Sequence, residues 1–416
     1  MTEAQPSLLA RVAVDVTPLR TSQDFRRLWA GRAVSGFAWR MLSVLVAVQV
    51  YRLTGSTLAV GLVALTQFVP LVVVTVVGGG LADARDRRAI VLVSNGGVAL
   101  AVAGLVAAST PHGVSVAVVF VLSLLAWSSF SLGTGAVRSL TPRLVPLEQL
   151  PAAAALEGIH TSLSMVVGPA LAGVLIGQIG LPATYGVSLG ALVAGTAMIA
   201  TIGRVPPLEG APRLSFAAIA DGFRYVATQR LVLSFFLIDT LAMIFGMPMS
   251  LFPALAQHVF RNPSSVGYLF AAPAVGSLLV SLSSGWAMRV RAQGVAIVVA
   301  VTGWGASIVA FGFVRTLWPA LVLLAVAGAA DMVSAIFRGT IVQTVTPDHM
   351  RGRVGGIEFA QVASTPALGN LEAGLVASLT SLRFSIVSGG VACLASTFAI
   401  AVLFPGLLRY RAPARA

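Results

Sequence analysis

Four charges set inside long apolar runs are the residues of this chain best placed to do chemistry: Arg40, Asp239, Asp331 and Arg338. Holding an ionisable side chain at the centre of a bilayer costs roughly 2.5–3.5 kcal/mol on insertion scales, so such groups mark ion or substrate paths or pair with one another. Asp331 and Arg338 stand seven positions apart, which returns them to one face of a helix. Arg40 is expected at a depth similar to that of Asp331. Two readings follow. Either Arg40 pairs with an acid, Asp331 first or Asp239 second, and proton exchange there drives reorganisation of a cavity, or the charges form a fixed ion pair that joins helices. Glu372, also deep in an apolar run, ranks as a third proton site.

Such charges need membrane-length helices to position them, and the composition supplies these. The chain has 416 residues, 57% hydrophobic and 10% charged; a soluble globule carries about 25% charged residues. Apolar runs of spanning length lie at about 28–51, 57–82, 89–109, 114–137, 150–179, 181–202, 231–256, 266–288, 295–314, 317–342, 354–379 and 384–408. Twelve spans are therefore expected. Residues 1–23 form a polar, basic lead, too long and interrupted for a signal peptide, and 24–29 read as a short amphipathic approach with Trp29 at interface depth. The one long connection, 203–230, places Phe216, Ile219, Phe223 and Val226 at helical spacing opposite Asp221, Arg224 and Gln229, a surface helix between two halves.

The basic residues are 27 Arg and no Lys, with a formal net charge of +13. With both termini cytoplasmic, 20 arginines fall on the cytoplasmic side; only Arg52, Arg261, Arg315 and Arg383 fall outside, and Arg32, Arg40 and Arg338 lie within spans. This asymmetry sets the orientation in the cytoplasmic membrane. The arginines are scattered among short loops and make no basic face, so nucleic acid is not an expected partner. His112, His160, His258 and His349 are isolated, Cys393 is the single cysteine, and without a lysine there is no phosphate-cradling G-x-x-x-x-G-K-[ST] loop. An enzyme, a metal site and ATP-driven pumping by this chain are all disfavoured.

Internal similarity points to duplication. Gly80-Leu81-Ala82 recurs 205 residues later as Gly285-Trp286-Ala287, and Thr141-Pro142 at the same offset as Thr346-Pro347. With a four-residue slip, Glu157, Gly168, Ala172 and Gly173 align with Glu358, Gly369, Ala373 and Gly374. The expected architecture is an all-α membrane protein whose twelve transmembrane helices form two pseudo-symmetric six-helix bundles, residues 1–203 and 231–416, joined by a cytoplasmic linker, 204–230.

Between the second and third apolar runs lies a basic hairpin, residues 79–88, with Gly79, Leu81, Asp83, Arg87 and Arg88. It resembles the loop between helices 2 and 3 of the major facilitator superfamily, G-x-L-a-D-r-x-G-r-R/K; Ala84 replaces the usual basic residue and Asp86 the second glycine. The resemblance implies a conformational latch in which the aspartate meets the start of helix 11, expected near Gly355-Gly356. Gly168-Pro169-Ala170-Leu171-Ala172-Gly173 resembles the antiporter motif G-P-x-x-G-G of exporting members, with Ala172 in place of a glycine. A kink from Pro169 with no further role remains the alternative. The basic motif that many drug–proton antiporters carry on helix 4 is absent; the corresponding turns read Trp127-Ser128-Ser129-Phe130.

Those motifs, with 25–29, 53–56 and 266–272, resemble the enterobactin-exporter-like, multidrug efflux branch of the superfamily over nearly the whole chain. The resemblance implies a monomeric secondary transporter with no cofactor, powered by a proton gradient, exporting amphipathic small molecules such as drugs or siderophores from a cavity lined by spans 1, 4, 7 and 10. Trp39, Trp127, Phe130, Phe235, Phe236, Phe245, Met243, Met247 and Met249 suit such a lining. Import of a small metabolite, or a receptor that transports nothing, are the alternatives.

Overall fold

The computed structural model describes residues 15–66, 70, 86–110, 114–203 and 216–412. Among these the chain is helix and connecting turn, with no strand. The helices are α1 (Gln23–Thr54), α2 (Thr57–Thr66 as described), α3 (Arg87–Ala108), α4 (Val116–Leu144), α5 and α6 (together Leu150–Ala200), α7 (Arg230–Phe245), α8 (Ser265–Leu282), α9 (Gln293–Phe311), α10 (Leu317–Val345), α11 (Asp348–Leu379) and α12 (Leu382–Leu403). Nine helical stretches among the described residues are long and apolar enough to cross a membrane. Leu147–Ala200 counts once among them, and α11 is too polar to be included.

Local signals fix the boundaries. Ser22 caps α1 by accepting the Phe25 N–H at 3.2 Å, and Gly55, at φ 62°, ends it where the chain must turn left-handed at once into α2. The amphipathic approach at 24–29 is the first part of α1 itself, preceded by a single turn, Thr17–Thr21. Leu150–Ala200 bends at Gly180, φ 79°, a conformation open to glycine at little cost, which divides it into α5 (150–179) and α6 (181–200). Beyond α7 the expected seventh span breaks at Gly246, passes through a 3-10 turn, Pro248–Leu251, and resumes as Phe252–His258. The Trp304 indole donates to the freed Gly246 carbonyl at 3.0 Å, and Asn370 Oδ1 accepts the Ser250 N–H at 2.8 Å. The break is thus hydrogen-bonded by its neighbours, as non-helical backbone at membrane depth must be.

The helices before residue 203 pack chiefly on one another: α1 on α5 and α6, α3 on α4. A buried polar chain ties three of them, Tyr185 O–H to Gln49 Oε1 at 2.7 Å and Gln49 Nε2 to the Ala108 carbonyl at 2.9 Å. The later helices form a second set, with α8 and α9 on α10 and α9 on α12. The linker helix, Phe216–Thr228, lies against α11 and the start of α7. Its inner face is Gly222, Tyr225 and Val226, whereas Phe223, expected to face inward, is exposed.

Glycines sit where backbones touch, and they do so in matching pairs. A Cβ added to Gly168 would lie 2.6 Å from the Arg40 Cβ on α1, and one on Gly369 would strike the Met243 carbonyl on α7. One on Gly173 would come within 2.6 Å of the Gly267 Cα on α8, and one on Gly374 would strike the Thr57 carbonyl on α2. The aligned glycines therefore make equivalent contacts in the two halves, two within a half and two across.

Candidate functional site

The buried charges form two clusters, one in each set of helices. In the second set Arg338 Nη1 on α10 pairs with Asp239 Oδ1 on α7, the two side chains 9% and 6% exposed. Gln361 Nε2 on α11 donates to Asp239 Oδ2 at 3.1 Å, to Thr240 Oγ1 at 2.8 Å and to the Phe236 carbonyl at 2.9 Å. Glu358, one helical turn before Gln361, lies in the field of Arg338. An ion pair this dry persists only when further hydrogen bonds satisfy it, and Gln361 supplies them.

In the first set Arg32 Nη1 on α1 pairs with Glu157 Oε2 on α5. His160, one turn further along α5, donates Nδ1–H to the Glu157 carbonyl at 2.9 Å and stands 3.6 Å from Glu157 Oε2. Trp29 closes one side, donating to the Leu156 carbonyl at 3.0 Å with its ring edge-on to His160. Arg32, Glu157 and His160 form one charged cluster that the sequence alone does not reveal, because His160 stands apart from the other histidines and the cysteine of the chain. The available signal was the spacing of three between Glu157 and His160, which stacks them on one face.

The expected pairing of Arg40 with Asp239 or Asp331 does not form. Asp239 belongs to Arg338, because α7 and α10 bring those two together within one set of helices. Arg40 instead lies where α1 crosses α5 at Gly168, in the field of His160, with no ion pair among the described residues. Asp331 stands two turns before Arg338 on the same face of α10, about 10 Å along the axis, half-buried and without an ion partner among the described residues. Glu372 keeps a buried Oε2 with no hydrogen-bond partner. Of the aromatic and methionine set, Trp39, Phe235 and Met243 are buried packing residues; Trp39 stacks on Phe130 at 4.0 Å and meets Trp127 edge-on.

Of the latch, Gly79 and Asp83 lie outside the described residues. Asp86, in the place of the second glycine, is the N-cap of α3, accepting the Arg88 N–H at 3.0 Å. Arg88 donates to the Ala200 carbonyl at the end of α6, and Arg87 is buried with Nε and Nη1 unpaired among the described residues. The α11 helix begins at Asp348, not at Gly355-Gly356, which lie two turns inside it. Its positive dipole end is accordingly two turns from the expected position. Arg351 bonds Asp348 at 3.0 Å, and Arg353 reaches Asp221 of the linker helix at 3.3 Å.

Several contacts between the two sets of helices, among the described residues, gather toward one end of the molecule. Pro169, Gly173 and Gly177 on α5 meet Ser264 and Gly267 at the start of α8; Gly61 and Thr57 on α2 meet Asn370 and Gly374 on α11. Tyr51 O–H and His258 Nε2 are 2.9 Å apart. These residues lie in the C-terminal halves of α1, α5 and α11, at the end of the helix Phe252–His258, and in the N-terminal parts of α2 and α8.

A profile of the transmembrane secretion effectors, within the major facilitator superfamily, matches residues 13–407. The chain belongs to that family. Among its relatives, the enterobactin exporter EntS of Salmonella choleraesuis (strain SC-B67) is 28% identical over 379 residues, covering 90% of this chain and 91% of the relative. The enterobactin exporter EntS of Salmonella typhi is 29% identical over 382 residues, with the same coverage. Solved structures share the fold at low identity. The nucleoside transporter NupG superposes with a TM-score of 0.69 at 13% identity, covering 93% of this chain and 99% of that one. A POT family transporter in complex with 5-aminolevulinic acid superposes with a TM-score of 0.73 at 11% identity, covering 93% and 97%. This family member is a multi-pass membrane protein and a secondary transporter acting on a small molecule, not an enzyme.

Proposed function

We propose that the protein is a proton-coupled exporter of amphipathic small molecules, of the siderophore or drug class, working as a monomer by alternating access in the cytoplasmic membrane with both termini in the cytoplasm. Twelve spans form two six-helix bundles, 1–203 and 231–416, with 204–230 as the cytoplasmic linker. The observation that carries this reading is the seal that contacts among the described residues make toward one end of the two sets of helices. In the proposed orientation that end is external, and the proposed chamber between α1, α4, α7 and α10 opens to the cytoplasm, ready to load cargo. Gly173 against Gly267 and Gly374 against Thr57 are then the two symmetric hinges of the external seal.

Three acids divide the work by their partners. Asp239, neutralised by Arg338 and held by Gln361, couples α7, α10 and α11 as one body. Asp331, which has no ion partner among the described residues, is the proton carrier facing the chamber, and Glu372 is a second candidate on α11. Similarity to enterobactin exporters over 90% of the chain supports a siderophore-class cargo, for which Arg40 is the charged contact. Reconstitution into liposomes tests this. An acid-loaded lumen should drive uptake of a fluorescent aromatic cargo against its gradient in inside-out protein, and Asp331→Asn should abolish the proton-driven part while leaving exchange down a cargo gradient intact. Full proton-driven transport by both Asp331→Asn and Glu372→Gln would remove the assignment.

A further inference from the structure

We infer that the sealed end of the second set of helices carries a binding site for a phosphate-type oxyanion. A cavity of about 390 Å³ opens there among the turns that follow the helix Phe252–His258, α9 and α11. Arg261, Arg315 and Arg383 reach it from three separate turns, with His258 on its wall and Phe311 and Ile386 below. No carboxylate lines it, and none of the three arginines makes an ion pair among the described residues.

Placement of these arginines opposes two costs. Of the 27 arginines only four lie on this side by the topology proposed above, and three of those four converge on one cavity. Like charges gathered without an acid repel one another. A bound oxyanion removes that repulsion, and the planar guanidinium fork matches its oxygens in bidentate fashion.

The backbone is also held for this arrangement. Arg261 has φ 51°, alone among non-glycine residues described, at a helix-terminating position where glycine is usual. Hydrogen bonds fix the turn around it: Asn262 N–H to the Ala256 carbonyl and Ser264 N–H to Asn262 Oδ1, each 3.0 Å. Arg383 is set in place over the Phe313 ring, its Cζ 4.4 Å from the centroid. Exposed Trp318 and Phe384 flank Arg315 and Arg383 in sequence, aromatic residues of the type found at the headgroup level of a bilayer. The wall residue His258 is the one bonded to Tyr51 across the seal, so a bound anion would sit against the closed end.

The oxyanion can come from a phospholipid headgroup or from free phosphate. Purified full-length protein in dodecyl maltoside, at fixed ionic strength, is titrated with dihexanoyl phosphatidylglycerol, dihexanoyl phosphatidylcholine or inorganic phosphate while its melting temperature is followed. Saturable stabilisation by phosphatidylglycerol is expected, and a weaker one by phosphatidylcholine, whose phosphodiester is the same but whose choline ammonium the three arginines repel. The triple variant Arg261→Gln/Arg315→Gln/Arg383→Gln should weaken it at least about tenfold, whereas Arg289→Gln/Arg409→Gln, which removes charge at the opposite end, should not. Should the triple variant fail to fold, Arg315→Gln alone is expected to weaken binding about threefold. A response to phosphate equal to that for phosphatidylglycerol assigns the source to free oxyanion and keeps the site. Equal responses to the two lipids, or arginine variants binding as tightly as the unaltered protein, overturn it.

Discussion

Replacing Asp239 with Ala strands the Arg338 guanidinium at membrane depth. Removing one member of a buried ion pair costs about 3–5 kcal/mol. Gln361 also loses one acceptor, adding about 1 kcal/mol, although Thr240 Oγ1 and the Phe236 carbonyl remain to it. Glu358, in the field of Arg338, returns part of the loss. A net destabilisation of about 3 kcal/mol is expected, roughly a hundredfold in the folded-to-unfolded ratio. Arg338→Ala should cost as much by leaving Asp239 uncompensated. The double variant should fall short of the sum by about 2 kcal/mol or more, because the second change then removes an already stranded charge. Unfolding in mixed dodecyl maltoside and dodecyl sulfate micelles, followed by tryptophan fluorescence, gives all four corners of the cycle. Single costs that add to within about 0.5 kcal/mol would show that the two side chains do not act as a pair, and the rigid coupling of α7 to α10 would go with them.

Gly173→Leu should leave expression intact and abolish transport, since even a Cβ at that position comes within 2.6 Å of Gly267; a cysteine placed in the chamber should then become accessible from the sealed end. Tyr51→Phe removes the hydroxyl that meets His258 and is expected to raise the same accessibility by a few-fold, corresponding to about 1 kcal/mol for one hydrogen bond. Ser22→Ala removes the α1 cap and should lower stability by about 1 kcal/mol in a thermal melt. Glu157→Gln weakens the joint hold on Arg32 and His160, so transport by this variant should respond less steeply to pH between 5 and 8, where a histidine side chain ordinarily titrates; an unchanged profile would make the cluster a purely structural brace.

Much of the architecture is legible in the sequence, since apolar length and glycine placement are local or additive properties. The bend at Gly180 fell where the fifth and sixth runs were separated, and the repeat of Gly168 and Gly173 as Gly369 and Gly374 reappears as matching backbone contacts. Composition gives only a helical membrane chain; the family is legible because residues 79–88 and 168–173 resemble the superfamily's motifs. What sequence could not supply was the identity of partners. Helical periodicity puts Asp331 and Arg338 on one face, yet only the rotation of α10 against α7 decides that Arg338 takes Asp239 and leaves Asp331 and Arg40 without an ion pair among the described residues. The Arg32–Glu157–His160 cluster and the three-arginine pocket likewise join residues far apart in the chain. Sequence fixes which side chains enter the membrane, through free energies that sum along each helix; tertiary packing alone decides which charges meet, because pairing depends on interhelical distances that no single helix encodes.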